Sequence, residues 1–189
     1  MEILIALWLL FFISHSVLAA TKIKAYFEGK MKIAPPQYRL RYNIVAVILM
    51  MGIVFQLLKT PSERLFEQTH FGFGVGCGFV VASLWLLKMA FRDINLSSFL
   101  GFLATSESSG LVTTGLYNLV RHPLYFGSTV FFIGIFLIQP TWTIAVSVGF
   151  SIVYIIIGIE FEERKLRQVF GAEYENYARR KKKFLPFIY

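Results

Sequence analysis

LYFGSTVFFIGIFLI, residues 124–138, is followed by Gln139-Pro140-Thr141 and then by WTIAVSVGFSIVYIIIGI, residues 142–159. Neither apolar run carries a charge, and runs of this length read as membrane-spanning helices. A three-residue proline turn leaves no room for any other connection, so the two must form an antiparallel hairpin. Three further apolar runs, 3–20, 42–58 and 71–90, complete a set of five. The expected fold is therefore an all-α membrane protein: five transmembrane helices, the last two forming a C-terminal hairpin, with a cytoplasmic helical tail.

Composition agrees. Of 189 residues, 56% are hydrophobic and only 16% charged, with a mean hydropathy of +0.62; a soluble domain would be far more polar. At this length one domain, residues 1–189, is expected. The formal charge of +8 does not point to nucleic acid, because the basic residues lie between apolar spans. They follow the positive-inside rule instead. With the N-terminus outside and five spans, 17 of the 19 basic residues face the cytoplasm, and only Lys59 and Arg64 face out. Cys77 sits alone in an apolar run and reads as packing.

The connectors carry their own signals. Val17-Leu18-Ala19 looks slightly like a cleavage site, but Met1-Glu2 offers no basic leader, so the first run reads as a retained span. Residues 22–41 read as a basic surface connector containing Pro35-Pro36, and Thr60-Pro61-Ser62-Glu63 as a turn followed by a capped helix start. Gly72, Gly74, Gly76 and Gly78 fail the dinucleotide-loop spacing and follow no strand; they read as small-xxx-small helix packing. His15, the one ionisable group in the first run, is either a functional group or a histidine held by a neighbouring helix.

Chemistry concentrates just before the hairpin, in Leu-Tyr-Asn-Leu-Val-Arg-His-Pro-Leu-Tyr-Phe-Gly, residues 116–127. Arg121 offers a fixed cationic fork, and His122 can change charge near neutral pH. Pro123 disfavours helix at His122, so the chain kinks or starts a helix there. Tyr117 and Tyr125 supply aromatic faces and hydroxyls. A membrane-edge cluster of arginine and tyrosine would look similar. The tail decides between them. Glu160-Phe161-Glu162-Glu163-Arg164-Lys165-Leu166-Arg167 emerges at the end of the fifth span. Its Glu160/Arg164 and Glu163/Arg167 spacing suits helical ion pairs, and the hairpin brings Glu162 and Glu163 beside Arg121 and His122.

These residues carry a resemblance. Gly115-Leu116-Tyr117, Arg121-His122-Pro123-x-Tyr125-x-Gly127, Glu162-Glu163 and Phe170-Gly171-x-Glu173-Tyr174-x-x-Tyr177 resemble the integral-membrane methyltransferases, among them isoprenylcysteine carboxyl methyltransferase and the phospholipid N-methyltransferases. The likeness is specific over residues 109–186. His15-Ser16 and Tyr38-Arg39-Leu40-Arg41-Tyr42-Asn43 resemble the small bacterial members, which implies a prokaryotic inner membrane. The resemblance implies S-adenosylmethionine bound at the cytosolic membrane face by Ser109, Gly110, Leu111, Val112, Tyr117, His122, Pro123, Leu124, Tyr125 and Glu162. It implies no metal.

The residue chemistry suits that cofactor. Glu162 or Glu163 fits its ammonium or ribose hydroxyls, Arg121 or His122 its carboxylate, and Tyr117 or Tyr125 its sulfonium. Arg121, His122 and Glu163 are the candidate catalytic set, with His122 or a tail carboxylate available to take a proton. The expected acceptor is a lipid or a small apolar molecule from the bilayer. Prenylcysteine enzymes tend to carry an arginine where this chain has Gly158, which favours a neutral or amine-type head. The competing readings are an NADPH-dependent reductase of the sterol reductase type, whose members have asparagine where Leu124 stands, and a non-catalytic protein on the same fold.

Overall fold

The structure is a computed structural model and describes residues 1–94, 96–100, 102 and 110–185. The described residues are helical apart from connectors and two isolated bridges, Arg64 with Thr141 and Val120 with Lys182. They fall into two compact units, the first built from residues 1–61 and the described part of 95–109, the second from 62–94 and 110–185.

In the first unit, α1 (Glu2–Ala19) leads into α2 (Thr21–Lys30), and α3 (Pro35–Lys59) packs back on α1. Leu4, Trp8, Tyr38 and Ile53 are buried between them, and the Tyr38 hydroxyl donates to the Leu18 carbonyl at 2.8 Å. The basic stretch 22–41 is thus mostly helical rather than a plain connector. Pro35 and Pro36 open α3, where a missing N–H costs nothing because the first turn has no acceptor for it. His15 stacks on Phe11 within α1 and meets the edge of Tyr42 on α3. The short α5 (Leu96–Leu100) accepts a hydrogen bond from Asn43 at the Leu100 carbonyl, 2.8 Å.

The second unit contains α4 (His70–Arg92), a short 3-10 turn (Gly115–Asn118), α6 (Pro123–Ile138), α7 (Trp142–Phe170) and α8 (Ala172–Arg180). Its most extensive packing is α4 against α6. Gly76 and Gly134 meet there so closely that a Cβ on Gly76 would lie 2.8 Å from Ile138 Cγ1, and one on Gly134 3.0 Å from the Gly76 carbonyl. Small-residue packing therefore holds for Gly76, but its partner is on α6. Gly74 and Gly78 face open space, and Gly72 meets only the cap residue Thr69.

The capped helix start expected after Thr60 is absent. Residues 61–69 run without helix and bind the hairpin turn: Leu65 N donates to Pro140 O (2.8 Å) and Trp142 N to Glu63 O (3.2 Å). Ser62 caps α7 rather than a helix of its own, accepting from Thr143 N at 3.0 Å. Four helices, α1, α3, α4 and α7, are long and apolar enough to cross a bilayer, while α6 is a shorter apolar helix of 16 residues.

Length is what gives α7 its second role. Its 29 residues extend about 43 Å, against a hydrocarbon layer of about 30 Å. The buried residues Thr143, Ser147, Ser151, Ile155, Ile159 and Glu163 recur every fourth position along one stripe. Ser147 and Ser151 return their hydroxyls to the carbonyls one turn back, 2.8 Å each, so these donors are satisfied within the helix. Glu163 ends the stripe.

Candidate active site

The segment before α6 is shaped by backbone constraints. Gly115 has φ +55°, and a Cβ there would fall 2.0 Å from an Asp93 carboxylate oxygen, so only glycine fits this left-handed turn against Asp93. The turn presents Tyr117, whose carbonyl accepts from the Tyr177 hydroxyl at 2.6 Å. Next, Val120 bridges to Lys182, and Arg121 N donates to the Lys182 carbonyl at 2.9 Å. The tail is thereby stitched along the segment that holds the site. His122 is the last residue before α6, with φ −124° and ψ 62°, and Pro123 is the first helical residue, as the steric rule for pre-proline residues requires.

At this junction the expected groups converge. His122 is 3% exposed; its Nε2 lies 2.9 Å from Glu163 Oε1, and its Nδ1 lies 3.6 Å from Glu162 Oε2. Arg121 Nη1 and Arg167 Nη2 each lie 3.2 Å from Glu163 Oε2. The Tyr174 hydroxyl donates to Glu163 Oε1 at 2.6 Å. Glu163 has no exposed surface, while the Glu162 side chain is 44% exposed. Tyr125 on α6 packs against the His122 ring, with its hydroxyl towards Glu162 and over Gly158, 3.6 Å from where a Cβ would stand.

Burial alone would push the His122 imidazole down, but hydrogen bonds to Glu162 and Glu163 and their charges outweigh it, so His122 keeps its proton above the usual histidine range. The Tyr117 phenol is pushed up to about 12 by burial, with Glu162 and Asp93 adding to it, and stays protonated near neutral pH. Burial and the bonded Glu163 carboxylate likewise raise Tyr174, which suits its part as donor.

Not every expected partner is found. Glu160 pairs with Lys183 rather than Arg164, and the Arg164 guanidinium lies over the Phe161 ring at 5.9 Å. Of the expected cofactor set, Ser109 lies outside the described residues. Gly110, Leu111 and Val112 form a non-helical approach to Gly115, and Leu124 is half-buried one residue into α6. A cleft of about 350 Å³ is lined by Leu111, Asn118, Glu173, Asn176, Tyr177 and Arg180 among others. Among the described residues only Leu111 links it to the expected set, and none of Arg121, His122, Glu162 or Glu163 lines it. The cleft carries Glu173, Tyr177, Arg180 and Lys181, while the histidine and paired carboxylates suited to proton transfer lie outside its lining. Sequence reasoning gave Tyr174 and Tyr177 no role. Their three-residue spacing on α8 puts both on one face, which was the available signal.

A family model for phospholipid methyltransferases matches residues 71–173, more than half of the chain. The chain belongs to this family. This membrane methyltransferase is 41% identical over 178 residues to a probable protein-S-isoprenylcysteine O-methyltransferase of Oryza sativa subsp. indica, covering 86% of this chain and 91% of the relative. It is 29% identical over 190 residues to a methanethiol S-methyltransferase of Crocosphaera subtropica, covering 95% and 72%. A methanethiol S-methyltransferase of Pseudomonas deceptionensis is 26% identical over 191 residues, covering 95% and 70%. No solved structure matches. The methyltransferase resemblance stands, and these relatives give the reductase reading no support.

Proposed function

We propose that this methyltransferase uses S-adenosylmethionine to methylate a lipophilic or small membrane-soluble acceptor at the cytoplasmic membrane face. One observation carries the reading. Of two adjacent carboxylates, Glu163 is saturated and buried, while Glu162 remains open beside His122 Nδ1 and the Tyr125 hydroxyl.

The residues fit the cofactor. Glu162 can accept from an ammonium or from ribose hydroxyls, and Tyr125 or Tyr117 can face a sulfonium, an attraction worth about 0.5–2 kcal/mol. Arg121 Nε is buried and lacks a hydrogen-bond partner among the described residues, leaving one donor for a carboxylate. When bound, the cofactor supplies a methyl group already activated by its sulfonium. What remains for the chain is to hold, orient and keep water out; orientation alone can supply about 7–11 kcal/mol. A thiol or amine acceptor must also lose a proton, which Glu162 can take, or His122 Nδ1 once the imidazole, held protonated above the usual histidine range, has become neutral.

The relatives' names include a small thiol and a prenylcysteine as acceptors, and both are apolar enough to arrive through lipid. A charged soluble acceptor would have to shed water to reach a site at the end of apolar helices. The Tyr125 hydroxyl stands beside Gly158, a position that supplies no cation for a substrate carboxylate; this favours a thiol, an amine or a neutral lipid head.

The test needs no acceptor. In detergent, S-adenosylhomocysteine should raise the melting temperature and NADPH should not. Stabilisation by NADPH alone would restore the reductase reading, and by neither would remove the proposal. A series with tritiated cofactor then compares extracted lipids, farnesylcysteine analogues, small alkyl thiols and hydrophilic amines. Fastest methylation of a hydrophilic amine would refute entry from the bilayer; preference for farnesylcysteine would overturn the argument from Gly158.

A further inference from the structure

Glu163 has nothing left to offer a ligand. Its Oε1 receives His122 Nε2 at 2.9 Å and the Tyr174 hydroxyl at 2.6 Å; its Oε2 receives Arg167 at 3.2 Å and is ion-paired with Arg121, also at 3.2 Å. A carboxylate has about four acceptor positions, and here three donors and the Arg121 ion pair surround a side chain with no exposed surface. Direct contact with cofactor or acceptor would require one of these bonds to break.

We infer that Glu163 and Tyr174 are positioning residues: they hold His122 with Nε2 as donor into the protein and Nδ1 as its working atom, and Tyr174 sets how tightly the imidazole keeps its proton. The first half follows from donor chemistry. An ionised carboxylate only accepts, so the ring nitrogen at 2.9 Å must carry hydrogen. In the neutral ring the lone pair then belongs to Nδ1, on the side of Glu162. The second half follows from sharing one oxygen. The Tyr174 hydroxyl draws charge from the same Oε1 that faces His122, and removing it leaves that charge to the imidazole. Among the described residues, the other groups facing this cluster are Arg121 and Tyr117 on the segment before α6, Glu160, Glu162 and Arg167 on α7, Tyr125 on α6, and Tyr177 on α8. Glu175 is turned towards Arg167, 2.9 Å away.

Only the use made of Nδ1 rests on the proposed function; the tautomer and the influence of Tyr174 rest on geometry alone. The experiment is nitrogen NMR of histidine-labelled, cofactor-free protein in micelles, with His122 assigned among the three histidines by H122Q. The neutral ring should carry its proton on Nε2. In Tyr174→Phe the His122 midpoint should rise by about 0.5 pH or more. In Tyr177→Phe, which breaks the bond to the Tyr117 carbonyl but leaves Glu163 untouched, it should stay in place. A neutral ring protonated on Nδ1, an unmoved midpoint in Tyr174→Phe, or an equal rise in Tyr177→Phe would each overturn the inference. Titrating S-adenosylhomocysteine into the same samples tests the proposed function separately, since failure to bind would leave the ring assignment standing.

Discussion

Glu163→Ala removes the one group on which two loop residues and two helices agree, and its cost can be worked from exposure. The side chains left behind differ. Arg167 is 44% exposed and already bonds Glu175, itself 50% exposed, so it can turn to solvent; an exposed pair of this kind is worth at most about 1 kcal/mol. The side chains of Arg121 and His122 are 9% and 2% exposed; His122 keeps Glu162 at 3.6 Å, but Arg121 has no second ion pair among the described residues. Removing one partner of a buried charge pair costs about 3–5 kcal/mol, because the other charge stays behind. For a chain of this length that corresponds to a fall in melting temperature of about 6–20 °C. The assay is thermal unfolding in detergent of Glu163→Ala, Arg167→Ala and the double variant Arg121→Met/Glu163→Met. Arg167→Ala should lie within a few degrees of the parent, and the double variant should recover part of the loss because the buried Arg121 charge is removed together with its partner. A Glu163→Ala protein as stable as the parent would refute the burial argument, and so would a double variant worse than the single one.

Other outcomes follow from the same geometry. Glu162→Ala and His122→Ala should each weaken S-adenosylhomocysteine binding by about 1.5–3 kcal/mol, the worth of a charge-assisted hydrogen bond, while Arg164→Ala, whose guanidinium lies over Phe161, should do much less; equal affinity in all three would move the pocket elsewhere. His122 is held above its ordinary 6.5, so its contribution to stability is fully present below pH 6.5 and is lost as pH rises through the raised value. Melting temperature should accordingly fall with pH above 6.5, and His122→Gln should flatten that slope; a parent profile level across this range would contradict the assignment. For topology, reporter fusions at the 140 turn and at the C-terminus should report opposite sides of the membrane, and the same side would sink the five-span count.

Much of the fold was legible because the bilayer makes apolar runs stand out. The runs at 3–20, 42–58, 71–90, 124–138 and 142–159 each fall within or close to a helix, and the hairpin at Pro140 follows from its three-residue turn. Connectors were harder. Pro35-Pro36 reads as a break, yet it opens α3 because the first turn of a helix has no use for the missing donors. Ser62 reads as a cap for the residues after it, yet it caps α7, far along the chain. A capping hydroxyl declares that it will accept from some helix N-terminus; nothing local says which one. The glycines of α4 show the same limit, since only Gly76 meets a partner and that partner, Gly134, lies on another helix.

The site was legible as a meeting of Arg121, His122, Glu162 and Glu163, but its division of labour was not. Adjacent glutamates look equivalent in sequence, and both suit an ammonium. What separates them is a pattern the pair itself does not contain. Counting in fours from Thr143 through Ser147, Ser151, Ile155 and Ile159 arrives at Glu163 and never at Glu162. Successive helical residues are about 100° apart, so the residue that ends the buried stripe must turn inward while its neighbour turns away. The inward carboxylate then needs donors, and Arg121, His122, Arg167 and Tyr174 supply them. The outward one stays 44% exposed, beside His122 Nδ1 and the Tyr125 hydroxyl. Hydropathy alone hid this stripe, because two of its members are serines that bond their own helix. Shifting Glu163 by one position along α7 would leave the local motif nearly unchanged and dismantle the cluster that orients His122.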